Sequence, residues 1–155
     1  MGFDKRELSG IESFIYQAQL PVRFQHVDAA GVVFFARFFE YVHEAYEGFL
    51  SSIGSPLAQV LKQQSWAAPL KHVEADYFRP LRLGDELLVQ LVAAEVDGSF
   101  LTLGWRLVVS PKPDAVHVAA VVQTTHAFVS MDDFQRTSIP DVILQAVAPI
   151  LQMGG

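Results

Sequence analysis

From Phe14 to Val27, β-branched and aromatic residues alternate imperfectly with polar ones, the two-residue period of a half-buried strand. Pro21 marks that strand as an edge strand or a bulge, because proline cannot donate to a ladder. The period then changes. Apolar residues at 35, 38, 39, 42, 45, 46, 49, 50 and 53 follow the i, i+3, i+4, i+7 spacing of one helical face, and Gly54 with Pro56 stops the helix. A short helical piece over 57–63 leads to segments of strand character at 66–79, 86–96, 99–110 and 115–130. Gly84-Asp85 and Asp97-Gly98 are turn signals, the second flanked by the alternation of a short hairpin. Pro111–Asp114 reads as a looser connection, and 141–152 as a short helix after Pro140. Residues 1–12 are polar and irregular and are expected to be loosely ordered; 13–155 form a single domain with no repeat, low-complexity tract or linker. The order predicts an α+β domain in which one long central helix is wrapped by a curved antiparallel sheet of about five strands.

Composition narrows the function classes. Hydrophobic residues make up 51% of the 155 positions, twelve of them Phe, so much apolar surface is expected to lie against another subunit, and a homodimer is the expected state. A formal charge of −6 lacks the basic footprint of a nucleic-acid binder. The absence of Cys removes disulfides, thiolate metal sites and a Cys nucleophile together. Neither a membrane span nor a secretion signal is readable, so the expected location is cytoplasmic. His43-Glu44-x-x-Glu47 has the look of a zinc helix but lacks the second His of H-E-x-x-H, and no metal site is expected.

The chemistry concentrates in His26-Val27-Asp28-Ala29-Ala30-Gly31-Val32-Val33-Phe34-Phe35, a carboxylate and a small-residue turn set before the long helix. Asp28 stands more than a turn ahead of the steady helical spacing, too early to cap that helix. Gly31 supplies the bend and lets a ligand approach the backbone. The first amides of a helix have no carbonyl partners inside it and sit at its positive end, where they can hold a developing oxyanion. Taken alone, Asp28 before Ala-Ala-Gly also reads as a side chain that ties its own turn. His26 lies on the same strand face two residues earlier, either lining the pocket or serving structurally. His43, eight residues after Phe35, reaches an acyl group or bonds backbone in the core. Glu44 and Glu47 are the other helix carboxylates. Phe34, Phe35, Phe38, Phe39 and Tyr41 read as core and subunit contact, with part of them forming a slot for a flat ring. Trp66 and Trp105 read as strand packing, and Ser51-Ser52 has no base in reach. Arg79 and Arg82, flanking Pro80-Leu81, form the cationic cluster closest to an apolar strand and meet a phosphate or simply water.

Asp28-Ala29-Ala30-Gly31-Val32-Val33-Phe34-Phe35, with the later block Asp76-Tyr77-Phe78-Arg79-Pro80-Leu81-Arg82-Leu83-Gly84-Asp85, resembles the hotdog-fold acyl-CoA thioesterases of the 4-hydroxybenzoyl-CoA thioesterase type over residues 15–140. His43-Glu44-Ala45-Tyr46-Glu47 and Pro69-Leu70-Lys71-His72 look most like the 1,4-dihydroxy-2-naphthoyl-CoA thioesterases of quinone synthesis. The resemblance implies that Asp28 is the catalytic carboxylate, as nucleophile or as general base toward water. It also implies that the Phe35 backbone amide polarises the thioester carbonyl. His26, Gly31, Phe34, His43 and His72 are expected around the substrate. In two places the chain departs from relatives. His43 stands where 4-hydroxybenzoyl-CoA thioesterases carry an aspartate for the ring hydroxyl, and Glu95-Val96-Asp97-Gly98-Ser99 replaces a basic hairpin, which leaves the CoA phosphates to Arg79 and Arg82. The family places its site between subunits of a homodimer, in a dimer of dimers. Coenzyme A is then part of the substrate and no cofactor is expected. The alternatives are a thioesterase for 4-hydroxybenzoyl-CoA or for short acyl-CoA or acyl-carrier-protein esters, and a hotdog protein that binds acyl-CoA without turnover.

Overall fold

The structure, a computed structural model, describes residues 2–112 and 115–152. In chain order it comprises α1 (Lys5–Gly10), β1 (Tyr16–Pro21), a 3-10 turn (Phe24–His26), α2 (Arg37–Ser52), α3 (Leu57–Gln63), β2 (Trp66–Ala67) and β3 (Leu70–Tyr77). Then follow β4 (Glu86–Asp97), β5 (Phe100–Lys112), β6 (Ala115–Ala127), β7 (Val129–Ser130), α4 (Asp141–Val147) and a second 3-10 turn (Ala148–Ile150). Five strands form one antiparallel sheet in the order β1-β4-β5-β6-β3, and β2 pairs with β7 in a two-stranded ribbon. β1 is an edge strand that ends at Pro21, as the missing amide requires. The tight turn at Asp97-Gly98, with Gly98 at φ 60°, joins β4 to β5. Of the Pro111–Asp114 connection, residues 113 and 114 lie outside the described residues.

Two expected strands are each divided. The segment 66–79 breaks at Ala68-Pro69, where proline has no amide for the ladder, so β2 leaves the main sheet and β3 begins at Leu70. The segment 115–130 breaks at Phe128, whose amide bonds the Ser99 carbonyl at 2.9 Å instead of a strand partner. The resulting β2–β7 ribbon packs Trp66 against Phe128, 5.2 Å between ring centroids.

The core lies between one face of the sheet and one face of α2. Phe38, Tyr41, Val42, Ala45, Tyr46, Phe49 and Leu50 point inward and share one cluster with Leu87, Val89 and Leu91 of β4 and the fully buried Trp105 of β5. The expectation of a long helix wrapped by the sheet needs correcting here. α2 has sixteen residues, about 24 Å, and its opposite face carries Glu40, His43, Glu44 and Glu47, all exposed. The sheet covers one side of the helix in this chain, because polar side chains occupy the other.

The N-terminal segment also differs from the reading of 1–12 as loosely ordered. Asp4 caps α1 by accepting a hydrogen bond from the Arg6 amide at 2.8 Å. Leu8 is fully buried on the sheet's far face with Val92, Ala93 and Val121, and Phe3 exchanges two bonds with the Gln123 side chain. Gly104 leaves the hollow for this contact: a Cβ there would lie 2.6 Å from the Leu8 side chain. The physical reason is that the far face of the sheet is itself apolar, and covering it removes that surface from water. No helix among the described residues is long and apolar enough to cross a membrane.

Candidate active site

The loop between the first 3-10 turn and α2 is held by main-chain bonds at both ends. Asp28 N donates to Val32 O at 2.9 Å, Gly31 N to Asp28 O at 2.9 Å, and Phe34 N to His26 O at 3.1 Å. Gly31 has φ 79°, a conformation L side chains rarely adopt, which explains glycine at this bend. The loop is pinned to the segment after β3 by Val33 N to Leu81 O at 2.8 Å and by a Val32–Arg82 bridge. The two sequence blocks that carried the family resemblance therefore form one backbone unit.

Asp28 Oδ1 accepts hydrogen bonds from the amides of Ala30 at 2.8 Å and Val32 at 3.4 Å. The carboxylate does tie its own turn, with one oxygen. Oδ2 has no partner among the described residues, and the side chain is exposed. One oxygen of the carboxylate thus ties the turn, and the other is left without a partner among the described residues.

α2 begins at Arg37, two residues later than the apolar spacing suggested, with Ala36 as a cap that offers no side-chain bond. The Arg37, Phe38 and Phe39 amides are taken by the carbonyls of Phe34, Phe35 and Ala36. From Val33 to Phe39, the amides without a partner among the described residues are those of Phe35 and Ala36. Tyr77 of β3 steadies this corner: its hydroxyl donates to Phe35 O at 3.0 Å, and its ring meets Phe38 edge-on at 4.9 Å. Burial raises the Tyr77 pKa, so the hydroxyl keeps its proton and stays a donor. Val33, Phe35, Phe38, Tyr77, Phe78, Arg79 and Pro80 line a cavity of about 310 Å³ beside it. Phe34 and Phe35 are both largely exposed, their rings 4.6 Å apart.

His26 is engaged elsewhere. Its Nδ1 lies 2.8 Å from the Tyr41 hydroxyl and its Nε2 3.4 Å from Glu40, so both nitrogens tie the loop to α2. Tyr41 itself is buried, and that burial raises its pKa. His43 projects from the exposed face of α2 with Nε2 3.3 Å from Glu47, and His72 on β3 pairs with Glu74 at 3.3 Å. Neither shares a cavity with Phe35. Arg79 and Arg82 line a second cavity of about 330 Å³ with Asp85 and His117, and this cavity shares Arg79 and Pro80 with the one at Phe35. Among the described residues, no three His, Asp or Glu side chains gather in an arrangement that could hold a metal ion.

Reasoning from sequence did not single out Tyr77 or His117, and it named Tyr41 only among the core and slot aromatics, not as the partner of His26. Tyr77 stood inside the second matching block, so its position was a usable signal. Tyr41 looked like any core aromatic of the helix, and His117, paired with Val109 of β5, meets Arg82 only as a fellow lining residue of one cavity.

Known proteins share these features. A family model described as "Thioesterase-like superfamily" matches residues 22–147. The 1,4-dihydroxy-2-naphthoyl-CoA hydrolase of Synechococcus elongatus is 34% identical over 127 residues, 81% of this chain and 90% of that protein. The enzyme of the same name from Nostoc punctiforme is 33% identical over 133 residues, 86% and 85% of the two chains. Among solved structures, a 1,4-dihydroxy-2-naphthoyl-CoA thioesterase from Synechocystis superposes with a TM-score of 0.76 at 27% identity, covering 86% of this chain and 95% of that one.

Proposed function

The chain belongs to the thioesterase-like superfamily and is a thioester hydrolase, and on that premise we propose that it cleaves an aromatic acyl-CoA, 1,4-dihydroxy-2-naphthoyl-CoA, at the Asp28 loop. The observation that carries the reading is the division of labour in Asp28: Oδ1 is fixed by two amides while Oδ2 is left without a partner among the described residues, on an exposed turn. A thioester carbonyl is already electrophilic, so the protein needs to orient it, stabilise the oxyanion and deliver oxygen. In the proposed reaction the Phe35 amide hydrogen-bonds the carbonyl oxygen. Oδ2 either attacks the carbonyl carbon, expelling the CoA thiolate and leaving an anhydride for water to open, or takes a proton from the water that attacks. An oxyanion donor of this kind contributes about 3 kcal/mol to the transition state. No cofactor enters; coenzyme A is the leaving group.

The CoA arm is assigned to the path from the Phe35 cavity across Arg79 and Pro80, with its phosphates at Arg79 and Arg82. The working unit is proposed to be a homodimer, two of which pair in a dimer of dimers. What supports the dimer is β3: an edge strand whose far side has no ladder among the described residues, carrying exposed Leu70, Val73 and Tyr77. A second copy laid along that edge would also exclude water from the exposed Asp28 loop, which strengthens every charge interaction there.

The test is thiol release from a panel of aromatic and aliphatic acyl-CoAs by the native protein and by Asp28→Asn. The amide of Asn keeps an acceptor for Ala30 N, so the turn survives while the nucleophile is lost. Preference for the dihydroxynaphthoyl ester with a nearly inactive variant supports the proposal; a variant as active as the native protein ends it.

A further inference from the structure

Along the exposed face of α2, Phe39, Glu40, His43, Glu44, Glu47 and Leu70 line an open groove of about 430 Å³. Beneath it lies a pouch of about 30 Å³ that shares Phe39, His43 and Leu70 with the groove and reaches down to Tyr46, Thr124 and His126. A group the size of one water needs about 10–15 Å³, so the pouch admits a single small substituent and no ring.

Buried polar groups are nearly always hydrogen-bonded, and each exception calls for an explanation. This pouch has one in its wall, Nδ1 of His126, and beside it a tyrosine hydroxyl. Tyr46 is only 7% exposed, yet its hydroxyl makes no hydrogen bond among the described residues, and burial holds its pKa far above the usual phenol value, so it remains a proton donor. His126 is 4% exposed; Nε2 lies 3.1 Å from Thr124 Oγ1, the backbone of Ala68 also bears on the ring, and Nδ1 has no hydrogen-bond partner among the described residues. The two rings stack at 4.6 Å and 19°, which fixes the tyrosine. The remaining walls are largely apolar.

We propose that the pouch receives one hydroxyl of the acyl ring, hydrogen-bonded by the Tyr46 hydroxyl, while the ring body lies in the groove above and His126 acts as a positioning residue behind Tyr46. This rests on the aromatic acyl-CoA reading and deepens it, making Tyr46 the residue that selects for a hydroxyl on the acyl ring. From Arg37, the first residue of α2, to Tyr46 the helix rises about 14 Å, longer than a bicyclic ring. The carboxylate that reaches the thioester of a ring seated here therefore belongs to the Asp28 loop of a second copy.

The experiment compares kcat/KM for 1,4-dihydroxy-2-naphthoyl-CoA and 1-hydroxy-2-naphthoyl-CoA, under anaerobic conditions, in the full-length protein and in Tyr46→Phe. That variant removes one oxygen and keeps the stack on His126. The native protein is expected to favour the dihydroxy ester about tenfold or more, and Tyr46→Phe to bring the ratio near one. Val73→Phe, which fills the pouch from its partly exposed rim, is expected to lower the same ratio. A native enzyme that cleaves both esters equally overturns the inference and leaves the thioesterase reading standing. So does a ratio unchanged in both variants, with only the melting temperature altered. A native protein that cleaves neither ester overturns the thioesterase reading itself, and the pouch assignment with it.

Discussion

The Asp28 loop and the Tyr46–His126 pouch solve the same problem, placing polar atoms, in opposite ways. In the loop most polar atoms are satisfied by a neighbour close in sequence, and Oδ2 of Asp28 and the amides of Phe35 and Ala36, which stay unpartnered among the described residues, sit at an exposed surface. In the pouch the unpartnered groups among the described residues, Nδ1 of His126 and the Tyr46 hydroxyl, belong to buried residues far apart in the chain, on β6 and α2. The loop is built largely from contacts close in sequence, whereas the pouch exists only when helix and sheet have closed. On the proposed roles, reactivity is a local property of this chain and selectivity a long-range one.

That contrast can be broken from either side. The largest effect belongs to Asp28→Asn, expected to lower kcat by about 10²–10⁴ with KM little changed and the melting temperature preserved, measured by steady-state thiol release. Next comes acid stability. Burial pushes the His126 pKa down from 6.5 to about 4, so the unfolded chain binds a proton that the folded chain refuses. This contribution is fully present above about pH 6.5 and is lost as pH falls toward 4. Between about pH 7 and about pH 4.5, urea melts should show the native protein losing on the order of 2 kcal/mol more than His126→Phe. Equal losses would mean that the imidazole is as accessible as it would be in the loop.

Gly31→Ala forces a side chain into φ 79° where nothing crowds the Cβ, so the penalty is purely conformational, about 1–2 kcal/mol by denaturant titration, with activity falling as the turn shifts. The smallest effect is expected from Tyr41→Phe. It removes the hydroxyl that holds His26 Nδ1 and should cost about 1 kcal/mol, with a modest loss of kcat as the loop loosens against α2.

The same contrast governs what could be read before folding. Apolar spacing found α2 and the 57–63 helix, and the Asp97-Gly98 signal found the β4–β5 hairpin, because period and turn chemistry are local. The Asp28 turn was legible for the same reason, down to the possibility that it ties itself. The docking of α1 was not, since Leu8 owes its place to Gly104, far along the chain, where a missing side chain makes room. His26 was visible as a residue but not as a tether, because its partners Tyr41 and Glu40 are reached only once α2 turns back over the loop. Tyr46 looked like one more core aromatic; only the packed structure shows its hydroxyl without a partner among the described residues.

The pinning of the Asp28 loop to Leu81 and Arg82 has a further consequence. The turn that bears the carboxylate and the segment that bears the arginines share a ladder, so the spacing between the cavity at Phe35 and the cavity at Arg82 is set by covalent geometry and two short hydrogen-bonded contacts. Such a unit is a fixed gauge. A ligand that occupies both ends must have an arm of matching length, and a truncated thioester can rest at one end or the other but never bridge them.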